Sequence, residues 1–181
     1  MAINVSPLQL MDPGFSAQVL DILDRHRIPT TRIILEISES ALMQDVDSCR
    51  QQLLELSARG VQISLDDFGV GFSSLARLKQ LPIDELKIDR AFVSDIHRNE
   101  VDVSIISAIV ALAAILGLRV VAEGVENERQ LRTVEQLGCA QSQGYLHDPP
   151  LSGQVFLARH GRSGSYVAGE RLNPAGAPAR G

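Results

Sequence analysis

The sequence predicts an α/β domain built on a parallel sheet, and three observations predict it. Short β-branched, apolar runs alternate with longer helical runs along most of the chain. The connections between them are brief. Gly60, Gly117 and Gly138 each follow a helical run and precede a strand, where a left-handed C-cap glycine belongs. Strands this apolar and β-branched suit a parallel sheet covered by helices. Six consecutive strand–helix units fit either a doubly wound sheet or a barrel.

The elements follow in order. Residues 3–6 form a short apolar strand. Asp12-Pro13 then reads as an N-cap followed by proline at the first helical position, opening a helix to about Arg27. Residues 33–38 read as a strand and 46–59 as a helix. Residues 61–66 form the third strand, and 73–80 a short helix stopped before Pro82. Strand 85–88 precedes helix 101–116; strand 118–122 precedes helix 128–137. Residues 139–145 form the sixth strand, and a short helix follows over 153–159. From Gly161 the composition turns to Gly, Pro, Ala, Ser and Arg, so one domain over 1–160 and a disordered tail over 161–181 are expected.

Composition narrows the function classes. The chain has 181 residues, 45% of them hydrophobic, which suffices for one core. A net charge of -5 argues against binding a DNA or RNA polymer, which needs clustered Lys and Arg. It leaves room for a small phosphate ligand, because divalent metals bring their own positive charge. Cys49 and Cys139 stand far apart without a CxxC pattern, so neither a zinc knuckle nor a disulfide framework is read. Two plain thiols and no signal peptide suit a reducing cytoplasm. The most apolar stretch, 101–116, is shorter than the ~20 residues of a membrane span and contains Asp102. It reads as a packed helix.

The chemistry concentrates at one end of the strands. The first delivers Asn4; the second delivers Glu36, with Glu39 one turn on. The third ends in Asp66 and Asp67, the fourth holds Lys87, the fifth ends in Glu123 with Glu126 after it, and the sixth carries Gln143. A single carboxylate at a strand end commonly caps the next helix, but six strands repeating the pattern point to a site. Strand C-terminal ends are where barrel enzymes place their chemistry. Carboxylates and an amide are all oxygen donors, which suits Mg²⁺ or Mn²⁺. Zinc fits poorly, since His26, His97, His147 and His160 lie in helices or loops without ligand spacing. Adjacent carboxylates such as Asp66 and Asp67 can serve two metals, an arrangement that suits phosphodiester displacement. Gly69 and Gly71 let the next segment fold over the site. Its Asp-Phe-Gly tripeptide occurs without the other kinase motifs, which excludes a kinase.

Six segments, INVSPLQL, LEISESAL, DDFGVGFSSL, LPIDELKIDRAFV, VVAEGVEN and QSQGYLHDPPL, together resemble the EAL domain family in order and spacing, to about residue 157. The resemblance implies a modified TIM-like (β/α) barrel that hydrolyses cyclic di-GMP to linear pGpG with Mg²⁺ or Mn²⁺. It implies Asn4, Glu36 and Asp66 as metal ligands and Asp67 chiefly for a second metal. Glu123 becomes a metal-linked carboxylate or water-activating base, Lys87 positions water or phosphate, and Gln143 is a further active-site group. Glu39 anchors the loop after the third strand, linking metal binding to dimerisation, and Glu126 supports it. Val70 and Phe72 replace the common threonine and tyrosine of that loop.

The tripeptide that names the family is absent from the sequence, which starts at the third family strand and holds about six of eight strand–helix units. The expectation is therefore a fragment of a phosphodiesterase, weak or inactive alone, paired in a homodimer or completed by an N-terminal segment. The competing reading is a catalytically inactive cyclic di-GMP-binding or protein-interaction module.

Overall fold

A computed structural model describes residues 1–44, 46–70 and 78–160. Its centre is one six-stranded sheet in the order β1-β2-β3-β4-β5-β6. The strands are β1 Ala2–Val5, β2 Ile34–Ser38, β3 Gln62–Phe68, β4 Glu85–Ile88, β5 Arg119–Ala122 and β6 Gln141–Ser142. Every adjacent pair is parallel. Strand order equals chain order, with no point of reversal. That decides between the two architectures the sequence allowed, because a doubly wound sheet reverses its order. The sheet is that of an incomplete (β/α) barrel.

Among the described residues the α-helices are α1 Pro7–Leu10, α2 Phe15–Arg25, α3 Glu39–Gln44, α4 Val46–Ala58, α5 Arg90–Val93, α6 Glu100–Leu116, α7 Glu128–Gln136 and α8 Gly153–His160. They cover the sheet face that carries Leu35, Ile37, Ile63, Leu65, Leu86, Ile88, Val120 and Ala122, all buried. Side chains alternate faces along a strand, so the opposite face presents Asn4, Glu36, Ser64, Asp66, Glu85 and Lys87. Apolar burial on the first face anchors the sheet; the second is left for polar groups.

Several local expectations hold for visible reasons. Gly60, Gly117 and Gly138 adopt φ of +87°, +72° and +95°, the left-handed geometry that ends their helices. Asn127 opens α7 with a capping box, its side chain accepting from Arg129 and Gln130 while Gln130 reaches back to the Asn127 N–H. The apolar stretch 101–116 lies within α6, and no helix among the described residues is long and apolar enough to cross a membrane.

Three expectations are corrected. Asp12-Pro13 does not open α2: the Asp12 carboxylate takes the Gly14 N–H at 2.8 Å, and the helix starts at Phe15 behind Gly14. This Asx turn competes with helix geometry. Helices α1, α3 and α5 are too short to show a 3.6-residue period, and the sequence reading passes over them. Strand β3 runs on to Phe68, with a register shift against β4 between Leu65 and Phe68. Strand β6 spans two residues rather than seven. The expected helix at 73–80 falls largely, and the tail at 161–181 wholly, outside the described residues.

Candidate metal centre

The site is built outward from Lys87. All four residues of β4 are buried, and Lys87 is 3% exposed in the middle of the sheet. Its Nζ lies 2.9 Å from Glu36 Oε1 on β2 and 3.1 Å from Asp66 Oδ1 on β3. It lies 2.6 Å from Glu123 Oε1, just past β5. An ammonium has three donors, and all three are used here. Burial opposes the charged form of Lys87 and is the largest influence on it. Hydrogen bonds and attraction from Glu123 and then Glu36 outweigh burial and raise its pKa. Lys87 is a fixed cation.

One cation does not balance the site. Burial raises the Glu123 pKa; Lys87 opposes this, while the charges of Asp66 and Glu36 reinforce it. Asp67 is also raised, first by burial, then by a hydrogen bond with Asp89 and by repulsion from Asp66 and Asp89. Among the described residues carboxylates outnumber the single ammonium, so the centre as described carries excess negative charge in a partly dry place. Such a centre gains from protons or from added cations.

The donor geometry suits a hard cation. One oxygen each from Asp66, Asp67 and Glu123 lie within 4.8 Å of one another. These are all carboxylate oxygens, the donors Mg²⁺ and Mn²⁺ prefer. Asp67 sits at φ +56°, a left-handed geometry that non-glycine residues adopt uncommonly, and its N–H donates to Asp66 Oδ1 at 3.2 Å. That turn aims two successive carboxylates toward one region.

The remaining residues singled out from the sequence take these places. Asn4 is exposed and in register with Glu36 on the neighbouring strand. Gln143 donates from Nε2 to Glu123 Oε1 at 3.2 Å. Glu39 is buried at the start of α3, and its Oε2 accepts the Gly69 N–H at 3.3 Å, tying the chain leaving β3 back to β2. Among the described residues its buried Oε1 has no hydrogen-bond partner. Glu126 is exposed on the turn before α7, where its N–H donates to Gln130 Oε1 at 2.8 Å.

Two features escaped the sequence reading. Asp89 helps to raise the Asp67 pKa and caps α5 by accepting the Ala91 N–H at 2.6 Å. The signal was available: Asp89 lies two residues beyond Lys87, on the same side of an extended chain. A second polar rung also lies one step back along the strands. There Ser64 Oγ donates to Glu85 Oε1 at 2.9 Å, and Arg119 Nη2 lies 3.5 Å from Glu85 Oε2.

Comparison with known proteins now has a site to compare. Residues 1–150 match the EAL domain family. The bifunctional diguanylate cyclase/cyclic di-GMP phosphodiesterase MucR of Pseudomonas aeruginosa is 46% identical over 158 residues, covering 87% of this chain and 23% of MucR. The chain thus spans about a quarter of that curated relative. The solved phosphodiesterase PaMucR in complex with c-di-GMP superposes with a TM-score of 0.82 at 46% identity, covering 86% of this chain and 63% of that one. Klebsiella pneumoniae BlrP1, solved with manganese and cy-diGMP, gives a TM-score of 0.77 at 31% identity over 82% of this chain and 38% of BlrP1. On this combined similarity of sequence and fold, the chain belongs to the EAL domain family.

Proposed function

We propose that this chain carries a metal-dependent phosphodiesterase site that opens cyclic di-GMP to linear pGpG. The observation that carries the reading is the buried excess of carboxylate around Lys87 at the strand ends. That charge imbalance is what a divalent cation would correct, and the donors present fit Mg²⁺ or Mn²⁺. When bound, two such ions would supply activation of water and stabilisation of the leaving oxygen.

In this reading Asn4, Glu36 and Asp66 hold one cation and Asp67 chiefly the second. Glu123 accepts the proton of the attacking water. Lys87, held by three carboxylates, orients that water or the phosphate. Gln143 keeps Glu123 in place. The water oxygen forms the new P–O bond, the P–O3′ bond breaks, and the 3′ oxygen leaves with a proton. Glu39 fixes the loop after β3, and Glu126 supports the turn after β5. Residues 1–160 are the C-terminal three quarters of the domain, which works in the cytoplasm and pairs through α6, where Val101 and Ile115 are 64% and 82% exposed.

The test is chromatographic. Cyclic di-GMP incubated with the chain and Mn²⁺ should yield pGpG only slowly, the chain alone being weak, and EDTA or Asp66→Asn should stop even that. Binding of cyclic di-GMP without any pGpG would replace this reading with that of a ligand-binding module.

A further inference from the structure

The metal centre accounts for the phosphate end of a cyclic dinucleotide. It leaves open what meets the bases. A cleft of about 480 Å³ opens beside Gln143, the residue that bonds Glu123 of the centre. That volume lies within the ~300–1,000 Å³ of small-molecule sites. Its walls include Tyr145, Pro149, Pro150 and Phe156. The chain has only five phenylalanines, two tyrosines and no tryptophan, so two aromatics at one cleft are a local concentration. Tyr145 and Phe156 remain 68% and 40% exposed. Flat apolar faces of this kind stack against nucleobases.

Among the described residues that line the cleft, Asp148 is the one that carries charge. Its carboxylate is one-third exposed, at 32%, and its Oδ1 accepts from Arg159 Nη1 at 2.8 Å. Arg159 lies on α8, so the pair fixes the carboxylate between two walls. The segment behind it is also fixed. The Val125 N–H donates to the Gln143 carbonyl at 3.0 Å, and the Leu146 N–H donates to the Val125 carbonyl at 3.0 Å. His147 Nε2 lies 2.9 Å from Ser142 Oγ.

We propose that Asp148, oriented by Arg159, reads one guanine of the ligand by accepting its neighbouring N1–H and N2–H donors, while Tyr145 and Phe156 flank the ring. This rests on the reading of the ligand as cyclic di-GMP. A carboxylate offers two acceptors side by side, matching those two donors. Adenine presents an unprotonated N1 at that place, which would face the carboxylate lone pair to lone pair. A side chain that pairs with two atoms of a base discriminates by roughly ten- to a hundredfold. Asp148 is therefore assigned as a specificity-determining residue, outside the metal centre.

The experiment is calorimetric titration of the chain with cyclic di-GMP and, separately, cyclic di-AMP. Ca²⁺ replaces Mn²⁺, and ligand integrity is checked by chromatography. Wild type should prefer cyclic di-GMP. Asp148→Asn should weaken cyclic di-GMP about ten- to a hundredfold and leave cyclic di-AMP nearly unchanged, so the preference collapses. Asp148→Glu, which keeps the carboxylate, should retain part of it. Unchanged affinity and preference in Asp148→Asn would overturn the assignment, as would equal losses for both ligands. If Asp148→Asn does not fold, Arg159→Gln carries the same test with the same overturning results. Wild type binding neither dinucleotide would sink the functional reading as well, whereas normal cyclic di-GMP binding with an indifferent Asp148→Asn sinks this inference alone.

Discussion

Lys87 is the residue on which the centre depends. It is buried, and it is shared by Glu36, Asp66 and Glu123. Replacing it with methionine keeps the bulk and removes the charge, leaving partly buried carboxylates facing one another. Lys87→Met should lower stability by about 3 kcal/mol in EDTA, the cost of breaking a buried ion pair from one side. Mn²⁺ should restore part of that loss, measured by urea unfolding, because it supplies the missing positive charge. Indifference to both the substitution and the metal would contradict the electrostatic argument. Cys139 gives a second residue-scale prediction. Burial pushes its thiol up to about 11. The folded chain keeps that proton where the unfolded chain, near the ordinary ~8.5, releases it. Stability should therefore decline as pH rises between those values, and iodoacetamide labelling of the native chain at pH 8 should be slow. Rapid labelling would show the thiol to be accessible. At this scale the sequence is informative where a charge stands in an apolar strand, as Lys87 does. It is uninformative where a residue works through one neighbour, as Asp89 does with Asp67.

At the element scale, β6 and the turn after β5 are locked by backbone contact. Gly144 has φ +157°, and a Cβ there would lie 2.2 Å from the Val125 carbonyl oxygen and 2.4 Å from its nitrogen. Gly144→Ala must push that turn away, and with it Gln143 and Glu123. It should cost about 2–3 kcal/mol, typical of overpacking against a rigid partner, and reduce turnover of cyclic di-GMP together with stability. A variant as stable and active as wild type would mean that the turn yields freely. The longer elements were legible because they carry their own signals. Helix α6 is a long apolar run closed by Gly117, and α7 is opened by Asn127 and Gln130. The four-residue helices α1 and α5 were not, since their formation depends on single caps such as Ser6 and Asp89. The early end of β6 was hidden too, because it depends on the close approach of Gly144 to Val125.

For the whole molecule, alternation of strand and helix predicted a parallel sheet, but strand order is a property of the folded chain. Sequential order brings β2, β3, β4 and β5 side by side, and only this adjacency lets Glu36, Asp66, Lys87 and Glu123 meet. The exposed apolar side of α6 belongs to this scale. If α6 is the pairing face, Ile115→Glu should shift sedimentation toward monomer without unfolding the chain; an unchanged profile would remove α6 from the interface. The larger question is whether the strand ends form a divalent-cation site. Uptake of Mn²⁺ by the purified chain, followed by electron paramagnetic resonance, addresses it without depending on turnover. The charge imbalance around Lys87 predicts saturable Mn²⁺ binding that weakens at least tenfold in Asp66→Asn and in Glu123→Gln. Absent binding, or equal binding in all three proteins, would contradict it.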